Sequence, residues 1–207
     1  MTAGRVIRSF ASPGPTPTGL AWAGRSLWCA DWGTSVIYEV DPTTGRTIRS
    51  IAAPGAFSLG LAWDGRTLWH GDDTADLIYQ INPVSGRIIR SFAAPGSSPA
   101  DLAWDGRRLW HCIETEDFIY KIDPVSGRVI RSFASPGTNP RGLAWDGHYL
   151  WNSDIGVVTI SQIDPVSGRV IQSFSTPGSH PYGLAWDGRT LWHADYGTNL
   201  IYQIAVS

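Results

Sequence analysis

Short apolar segments separated by polar turns run along the whole chain, and each has the length of a β-strand. In one stretch, residues 87–92 mix branched apolar and charged side chains, 102–104 are wholly apolar, and 118–122 are mainly apolar. Asp105-Gly106 separates the second of these segments from the next strand at 109–111, which predicts a two-residue hairpin of type I′. No segment has the period of a helix, so the pattern predicts an all-β protein.

The pattern repeats with a constant period of 41 residues. The tripeptide Leu-Ala-Trp recurs once in each unit, at Trp22, Trp63, Trp104, Trp145 and Trp186. A second tryptophan follows six residues later in every unit, at Trp28, Trp69, Trp110, Trp151 and Trp192. We divide the chain into units 4–44, 45–85, 86–126, 127–167 and 168–207, which predicts one repeat-built domain over residues 1–207.

Four short antiparallel strands in each of five such units predict a five-bladed β-propeller. The wholly apolar Leu-Ala-Trp segment suits the innermost strand, whereas the charged segment suits the rim. The chain begins with a rim-type strand at 5–10 and ends with a third strand at 200–204. We therefore expect the N-terminal strand to complete the last blade, which closes the ring and removes an exposed sheet edge.

Charge and composition exclude several classes of function. A formal net charge of −2 gives no general attraction to nucleic acid or to an anionic membrane. No apolar run reaches the roughly 20 residues of a membrane-spanning helix, and the N-terminus has no signal-peptide pattern. We expect a monomer, located in the cytoplasm unless the chain is an excised domain. Cys29 and Cys112 lie in non-adjacent units, so we expect both thiols to be free.

The units resemble the propeller superfamily of YVTN/NHL-type repeats and glutamine cyclotransferases. The resemblance rests on Gly-Leu-Ala-Trp-Asp-Gly at 183–188, Leu-Trp-His-Ala-Asp at 191–195 and Ile-Tyr at 201–202, with Asp164-Pro165 and Gly168. It covers nearly the full length and implies the propeller fold, but it assigns no catalytic residue.

The units differ mostly in the loop after the rim strand and the loop after the second strand. In an up-and-down blade these two loops lie on the same side of the disc, where a propeller would bind a ligand. That side collects one base, Arg141, and ten of the 18 acids: Asp31, Asp72, Asp73, Asp76, Asp101, Glu114, Glu116, Asp117, Asp154 and Asp195. An acidic face favours a cation, a basic peptide or a polyhydroxylated ligand. Drift in tolerant loops would produce the same variability.

Two sectors of this face carry different chemistry. Units five and one, which become neighbours on closure, contain Asp195-Tyr196 and Asp31-Trp32, with Tyr182 nearby. Aromatic rings beside carboxylates suit a sugar, although such rings also anchor loops. Units two and three contain the acid clusters 72–76 and 114–117, which could hold Ca²⁺ or form a solvated face.

Three histidines occupy one repeat position: His70, His111 and His193. They lie on the second strand, where the side chains point toward neighbouring blades, so we do not expect them to share a zinc ion. We expect each to form a hydrogen bond near the end of its strand, and His70 and His193 to pair with Asp72 and Asp195.

One innermost strand breaks the symmetry of the channel mouth. Glycine opens this strand in four units, at Gly19, Gly60, Gly142 and Gly183, whereas the third unit has Asp101. The simpler interpretation is an ion pair between Asp101 and Arg141. The alternative makes Asp101 a ligand-binding or catalytic group beside His111 and Glu114.

Three functions remain open at this point. The first is a binding propeller for a carbohydrate or basic peptide, the second a metal-assisted lyase or hydrolase near the channel mouth, and the third a structural or engineered repeat. No nucleophile motif, phosphate loop or redox pair is present, which favours binding over catalysis. No catalytic or metal residue is assigned, and the candidate ligand-binding residues are Asp31, Trp32, Asp101, His111, Arg141, Tyr182, His193, Asp195 and Tyr196.

Overall fold

The computed structural model describes residues 3–207, which form five four-stranded antiparallel sheets arranged in a ring. The protein is an all-β, five-bladed β-propeller, as the repeat predicts. In chain order the strands are β1 Val6–Ala11, β2 Pro17–Trp22, β3 Leu27–Asp31, β4 Val36–Val40, β5 Thr47–Ala52, β6 Ser58–Trp63, β7 Leu68–Asp72, β8 Leu77–Ile81, β9 Ile88–Ala93, β10 Pro99–Trp104, β11 Leu109–Ile113, β12 Phe118–Ile122, β13 Val129–Ala134, β14 Pro140–Trp145, β15 Leu150–Asp154, β16 Thr159–Ile163, β17 Val170–Ser175, β18 Pro181–Trp186, β19 Leu191–Asp195 and β20 Leu200–Ile204.

Each blade runs from the axis to the rim in chain order. Blades 1 to 4 are β2–β5, β6–β9, β10–β13 and β14–β17, and blade 5 is β18–β20 completed at the rim by β1. The antiparallel pairing of β1 with β20 agrees with the expected closure by the N-terminal strand. Among residues 3–207 we find no helix whose length and hydrophobicity would suit it to crossing a bilayer.

Paired tryptophans hold neighbouring blades together. The inner-strand Trp22 of blade 1 stacks on the second-strand Trp192 of blade 5, with ring centroids 6.2 Å apart. Trp104 of blade 3 stacks on Trp69 of blade 2 in the same way, at 6.5 Å. The equivalent pairs at the other three interfaces, each within one buried cluster, are Trp63 with Trp28, Trp145 with Trp110 and Trp186 with Trp151. Each interface therefore buries one tryptophan fully and a second one in part.

A carboxylate fixes the second-strand tryptophan in four of the five blades. The indole Nε1–H groups of Trp69, Trp110, Trp151 and Trp192 donate to Asp64, Asp105, Asp146 and Asp187 over 2.8–3.1 Å. Blade 1 has Ala23 at the aspartate position, and its acid is Glu39 on the third strand. Glu39 accepts the Ser26 hydroxyl at 2.6 Å and pairs with Arg49, whose guanidinium lies 5.3 Å from the centre of the Trp28 ring.

The hairpin containing Asp-Gly differs from the predicted type I′ turn. The turn spans residues 105–108, so its central residues are Gly106 and Arg107, not Asp105 and Gly106. Only Gly106 has a positive φ, at 91°, whereas a type I′ turn requires a positive φ at both central residues. Asp105 instead uses its side chain, which accepts the backbone N–H groups of Arg107 and Arg108. The prediction of type I′ was wrong because a side-chain acceptor substitutes for a backbone carbonyl here.

Glycine at the start of four inner strands permits the close approach of neighbouring blades. A Cβ on Gly183 would lie far inside van der Waals contact with the Thr18 carbonyl oxygen, and one on Gly142 would do the same at the Tyr182 carbonyl. These obstacles are backbone atoms, which cannot rotate away. The inner ring therefore requires residues without a side chain at these positions.

We expect Gly183→Ala to destabilise the protein by about 2–3 kcal/mol, because the added methyl overlaps the neighbouring backbone. The matched control is Gly71→Ala, where the nearest atom to the added Cβ is 3.5 Å away and the backbone conformation is ordinary. Two other units carry alanine at this position, Ala30 and Ala194. Urea unfolding measures both variants, and equal stabilities for the two would contradict the role of the close approach.

The termini meet in the geometry of an ordinary inter-strand hairpin. Gly4 N–H donates to the Ala205 carbonyl at 2.8 Å and Ala205 N–H to the Arg5 carbonyl at 2.9 Å. Gly45, Asp41 and Arg46 make the same two bonds in the unbroken hairpin of blade 1. We expect a circular permutant that joins Ser207 directly to Ala3 and opens between Thr43 and Thr44 to keep the fold, with Tm within about 5 °C of the parent.

The matched control for this permutant opens the chain inside an inner strand, between Leu102 and Ala103. Because that cut interrupts a buried strand, we expect it to prevent folding, as followed by circular dichroism and thermal melting. Failure of the permutant opened at residues 43–44 would show that closure by β1 depends on free termini.

Candidate functional site

The two variable loops of each blade lie side by side on one face of the disc, which we call the loop face. Trp32 N–H donates to the Thr16 carbonyl, Asp73 N–H to the Phe57 carbonyl, and Tyr196 N–H to the His180 carbonyl. In each pair one residue follows the second strand and the other precedes the inner strand of the same blade. The opposite face carries the uniform hairpins.

Four aspartates predicted to contribute to an acidic surface are buried, and three of them, Asp31, Asp154 and Asp195, join the two loops of their blades. Asp31 accepts the N–H groups of Thr16 at 2.7 Å and Thr34 at 2.8 Å, joining the two loops of blade 1. Asp195 does the same for His180 and Thr198 in blade 5. Both carboxylates have no exposed surface, and Asp72 and Asp154 are likewise buried. Asp31 and Asp195 therefore organise the loops and present no carboxylate to solvent.

The remaining carboxylates of the loop face are concentrated on blades 2 and 3. With Asp101 also buried, half of the ten acids are inaccessible to a ligand. The other five are Asp73, Asp76, Glu114, Glu116 and Asp117, all at least partly exposed. The accessible carboxylates thus occupy a smaller part of the loop face than its composition indicates. Within residues 3–207, no three His, Cys, Asp or Glu side chains come together in a group that could hold a metal ion.

Arg141 pairs with Glu114, and the expected ion pair between Arg141 and Asp101 is wrong. The Arg141 Nη2 group contacts Glu114 Oε1, and its Nε donates to Asn139 Oδ1 at 3.0 Å. The guanidinium lies 4.8 Å from the centre of the Tyr182 ring. Asp101 instead turns into the channel, where it accepts backbone N–H groups from other blades. These donors satisfy the carboxylate without a cation.

Asp101 is buried, with 1% of its surface exposed. Burial raises the pKa of the Asp101 carboxyl well above its usual range, while the N–H groups of Leu143, Leu102, Leu61 and Leu184 oppose this by stabilising the charged form. Neither a ligand on the loop face nor a solvent-borne substrate reaches this group.

The three histidines are also buried, at zero exposure. His111 Nδ1 lies 3.2 Å from the Asp101 carbonyl oxygen, and Asn152 donates to the Gly142 carbonyl at 3.0 Å from the same repeat position. The expected bond near the strand end is therefore present in blades 3 and 4. For His70 and His193, the ring nitrogens make no short hydrogen bond among the described residues.

The expected pairs between these histidines and Asp72 or Asp195 are not formed. Both carboxylates are already used by loop N–H groups, such as Thr74 and Thr198. The rings instead stack on tyrosines, His70 on Tyr79 at 6.2 Å and His193 on Tyr202 at 6.1 Å. His111 and His193 are consequently parts of the core and do not line the loop face.

A pocket remains at the channel mouth, with a volume of about 220 Å³. We call it the mouth pocket, and it is lined by Thr18, Trp32, Leu59, Asp73, Arg141, Tyr182 and Tyr196. Four of the nine candidate residues thus come together: Trp32, Arg141, Tyr182 and Tyr196. Leu59, Thr18 and Asp73 were missed as candidates, although Thr18, Leu59, Arg141 and Tyr182 share one repeat position at the top of the inner strands.

Aromatic rings form two sides of the mouth pocket. Trp32 is 36% exposed and stacks on Phe57, with centroids 4.8 Å apart. Tyr182 and Tyr196 are 5.5 Å apart on the side of blade 5, and burial raises the pKa of the Tyr182 hydroxyl. Arg141 and Asp73 add one donor and one acceptor group. The pocket therefore offers ring faces and polar groups to one small ligand.

The two buried thiols offer no chemistry at this site. Cys29 and Cys112 are free, as expected from their separation in the ring. Burial raises the pKa of Cys29 to about 12 and also raises that of Cys112, so neither is a thiolate at neutral pH.

Similarity to known proteins is confined to the fold. No protein-family model matches the chain, and no curated protein matches it. Among solved structures, a glutaminyl cyclase from Myxococcus xanthus matches 97% of this chain and 94% of its own, with a TM-score of 0.82 and 13% identity.

Two other propellers show the same kind of likeness. An inactive variant of virginiamycin B lyase from Staphylococcus aureus, solved with quinupristin, has a TM-score of 0.58 and 19% identity over 96% of this chain and 72% of its own. The WD40 propeller domain of Doa1 has a TM-score of 0.62 and 12% identity, and the match covers 91% of this chain and 63% of that one. These neighbours include enzymes as well as a WD40 domain, so the fold is compatible with both catalysis and binding.

The buried histidines predict a loss of stability in weak acid. Burial lowers the pKa of His70, His111 and His193 to about 4, whereas an unfolded histidine titrates near 6.5. Between these values the unfolded chain binds more protons, so stability should fall as the pH drops from about 6.5 to 4. Each histidine should contribute about 1.4 kcal/mol per pH unit within this window.

Urea unfolding at a series of pH values measures this slope. Replacing the three histidines by asparagine, the residue found at position 152, should flatten the curve between pH 4 and 6.5. An unchanged slope in the triple variant would show that other groups bind the protons.

Proposed function

We propose that this chain is a non-catalytic binding propeller that holds a small carbohydrate, such as a monosaccharide or a terminal sugar, in the mouth pocket. The observation that carries the proposal is the placement of the Trp32, Tyr182 and Tyr196 rings beside Arg141 and Asp73 in one pocket. Ring faces suit the C–H surface of a sugar, and the polar groups suit its hydroxyls.

The size of the mouth pocket also supports a small ligand. Its volume of about 220 Å³ is below the roughly 300–1,000 Å³ typical of pockets for drug-sized molecules. Arg141 is paired with Glu114, so the pocket wall offers no free positive charge to an anionic ligand.

A basic peptide is the second candidate, and the exposed acids of blades 2 and 3 favour it. Asp73, Asp76, Glu114, Glu116 and Asp117 form one sector of the loop face. A peptide bound there would use charge more than ring stacking, and its affinity would fall with ionic strength.

The residues considered for metal-assisted catalysis do not form a site. Asp101 and His111 are buried, and Glu114 is paired with Arg141. A structural scaffold without a ligand would explain the fold but gives no reason for a unit-specific aromatic pocket.

A glycan array with labelled protein, run with and without EDTA, tests the proposal. We expect binding to a limited set of sugars, weakened about tenfold or more by Trp32→Ala or Tyr196→Ala, which is ~1.4 kcal/mol or more. The matched control is Tyr149→Ala, an aromatic residue of equal exposure on the opposite face. Thermal melts confirm that each variant is folded.

The pocket contains a single carboxylate, Asp73, so we expect binding to resist EDTA. A blank array, or an equal loss of binding in Tyr149→Ala, would contradict the proposal. Binding abolished by EDTA would instead assign the ligand to the acid clusters of blades 2 and 3. Salt-sensitive capture of basic peptides by the same protein would support the second candidate.

A further inference from the structure

The inner strands present an unpaired edge to the channel, because each is the last strand of its sheet. Their free backbone N–H groups therefore point toward the axis. At the level just below the mouth pocket, four blades have glycine, as at Gly60 and Gly142, and the third has Asp101. The only side chain that the five units place at this level of the channel is thus a carboxylate.

The Asp101 carboxylate is held by backbone groups of three other blades. Its Oδ1 accepts the N–H of Leu61 in blade 2 at 3.0 Å. Its Oδ2 accepts the N–H groups of Leu143 in blade 4 at 2.8 Å and Leu184 in blade 5 at 3.4 Å. One side chain therefore links four of the five blades at the axis.

The inner-strand N–H groups around Asp101 form a ring with the chemistry of an anion site. Every group that faces the carboxylate in these bonds is an N–H donor, and such donors stabilise the ionised form against the opposing effect of burial on the pKa of Asp101. Converging backbone N–H groups form anion-binding concavities in other folds. Buried N–H groups left without an acceptor would each be costly, so the ring requires an acceptor of some kind.

Arg141 does not account for the position of Asp101. Among residues 3–207 it is the one arginine or lysine on the loop face, and it is occupied by Glu114 and Asn139. The carboxylate is instead fully enclosed by the inner strands, with 1% of its surface exposed.

We propose that the ring of inner-strand N–H groups at the channel axis is a binding centre for one small carboxylate, and that Asp101 is a carboxylate which the chain supplies to it. In this role Asp101 joins blades 2 to 5 and closes the floor beneath the mouth pocket. The centre is separate from the proposed sugar site, because Asp101 lines the channel below that pocket and not the pocket itself.

Removing the side chain should leave a vacant site that accepts formate. In Asp101→Gly, the third unit acquires the residue that the other four already have, so the backbone itself is compatible with the change. We expect its Tm to fall by about 4–8 °C, and added sodium formate to restore about 4 °C or more in a saturable way.

Four controls separate binding from general effects of salt. Sodium chloride at equal ionic strength and formamide, which has the shape of formate but carries N–H groups, should each give less restoration than formate. Asp101→Asn is the matched variant, because its side chain still fills the ring. We expect it to be destabilised, since an amide brings donors toward donors, and to show no response to formate. The wild-type protein should not respond either.

The proposal is overturned if formate stabilises Asp101→Gly no more than it stabilises the wild type or Asp101→Asn. It is equally overturned if Asp101→Gly is as stable as the wild type without any added anion. Should Asp101→Gly not fold alone, refolding of it and of Asp101→Ala in formate decides the matter: recovery of the fold supports the proposal, and failure at every formate concentration contradicts it. None of these results depends on sugar binding.

Discussion

The stacking of an inner-strand tryptophan on a second-strand tryptophan of the preceding blade is the contact on which the whole ring depends. A single four-stranded sheet has two apolar faces and cannot bury either of them alone. Each Trp pair covers part of the exposed face, and the aspartate on the indole N–H fixes the ring orientation, as Asp187 does for Trp192. Because every interface uses the same pair, each blade packs on the next through the same contact around the ring.

Blade 1 shows how the tryptophan contact is kept when the aspartate beside it is replaced. Ala23 replaces the aspartate, and the acid appears at Glu39 on the neighbouring strand, where Arg49 lies over the Trp28 ring. The carboxylate has thus moved within the same small region, and the second-strand tryptophan keeps its buried position. Blade 3 provides the complementary case, since Lys121 pairs with Asp105 and lies 4.9 Å from the Trp110 ring centre. The polar network varies while the apolar contact does not.

Sequence alone was sufficient for the fold, because the period of 41 residues and the two tryptophans per unit report the inter-blade contact directly. The sequence was less informative about which carboxylates are exposed to solvent. Asp31 and Asp195 were interpreted as surface acids, yet both are buried loop acceptors. A signal was available: aspartate recurs at this repeat position in four units, and only Ile113 departs from it. A residue shared by most units serves the scaffold, whereas Trp32, Arg141 and Tyr182 are specific to their units and line the mouth pocket.

Asp101 is the exception to that rule, because it is specific to one unit and yet belongs to the scaffold. A ring of N–H groups cannot be satisfied by glycines, which bring no acceptor, and the N–H groups of Leu61, Leu102, Leu143 and Leu184 all converge on the one carboxylate. One unit must break the symmetry, and a single carboxylate can serve several blades because each of its oxygens accepts more than one bond. The same departure from symmetry closes the channel below the mouth pocket. In a propeller of near-identical blades, residues at the axis therefore differ between units for structural as well as functional reasons. A unit-specific residue at the axis must first be tested for its part in closing the ring.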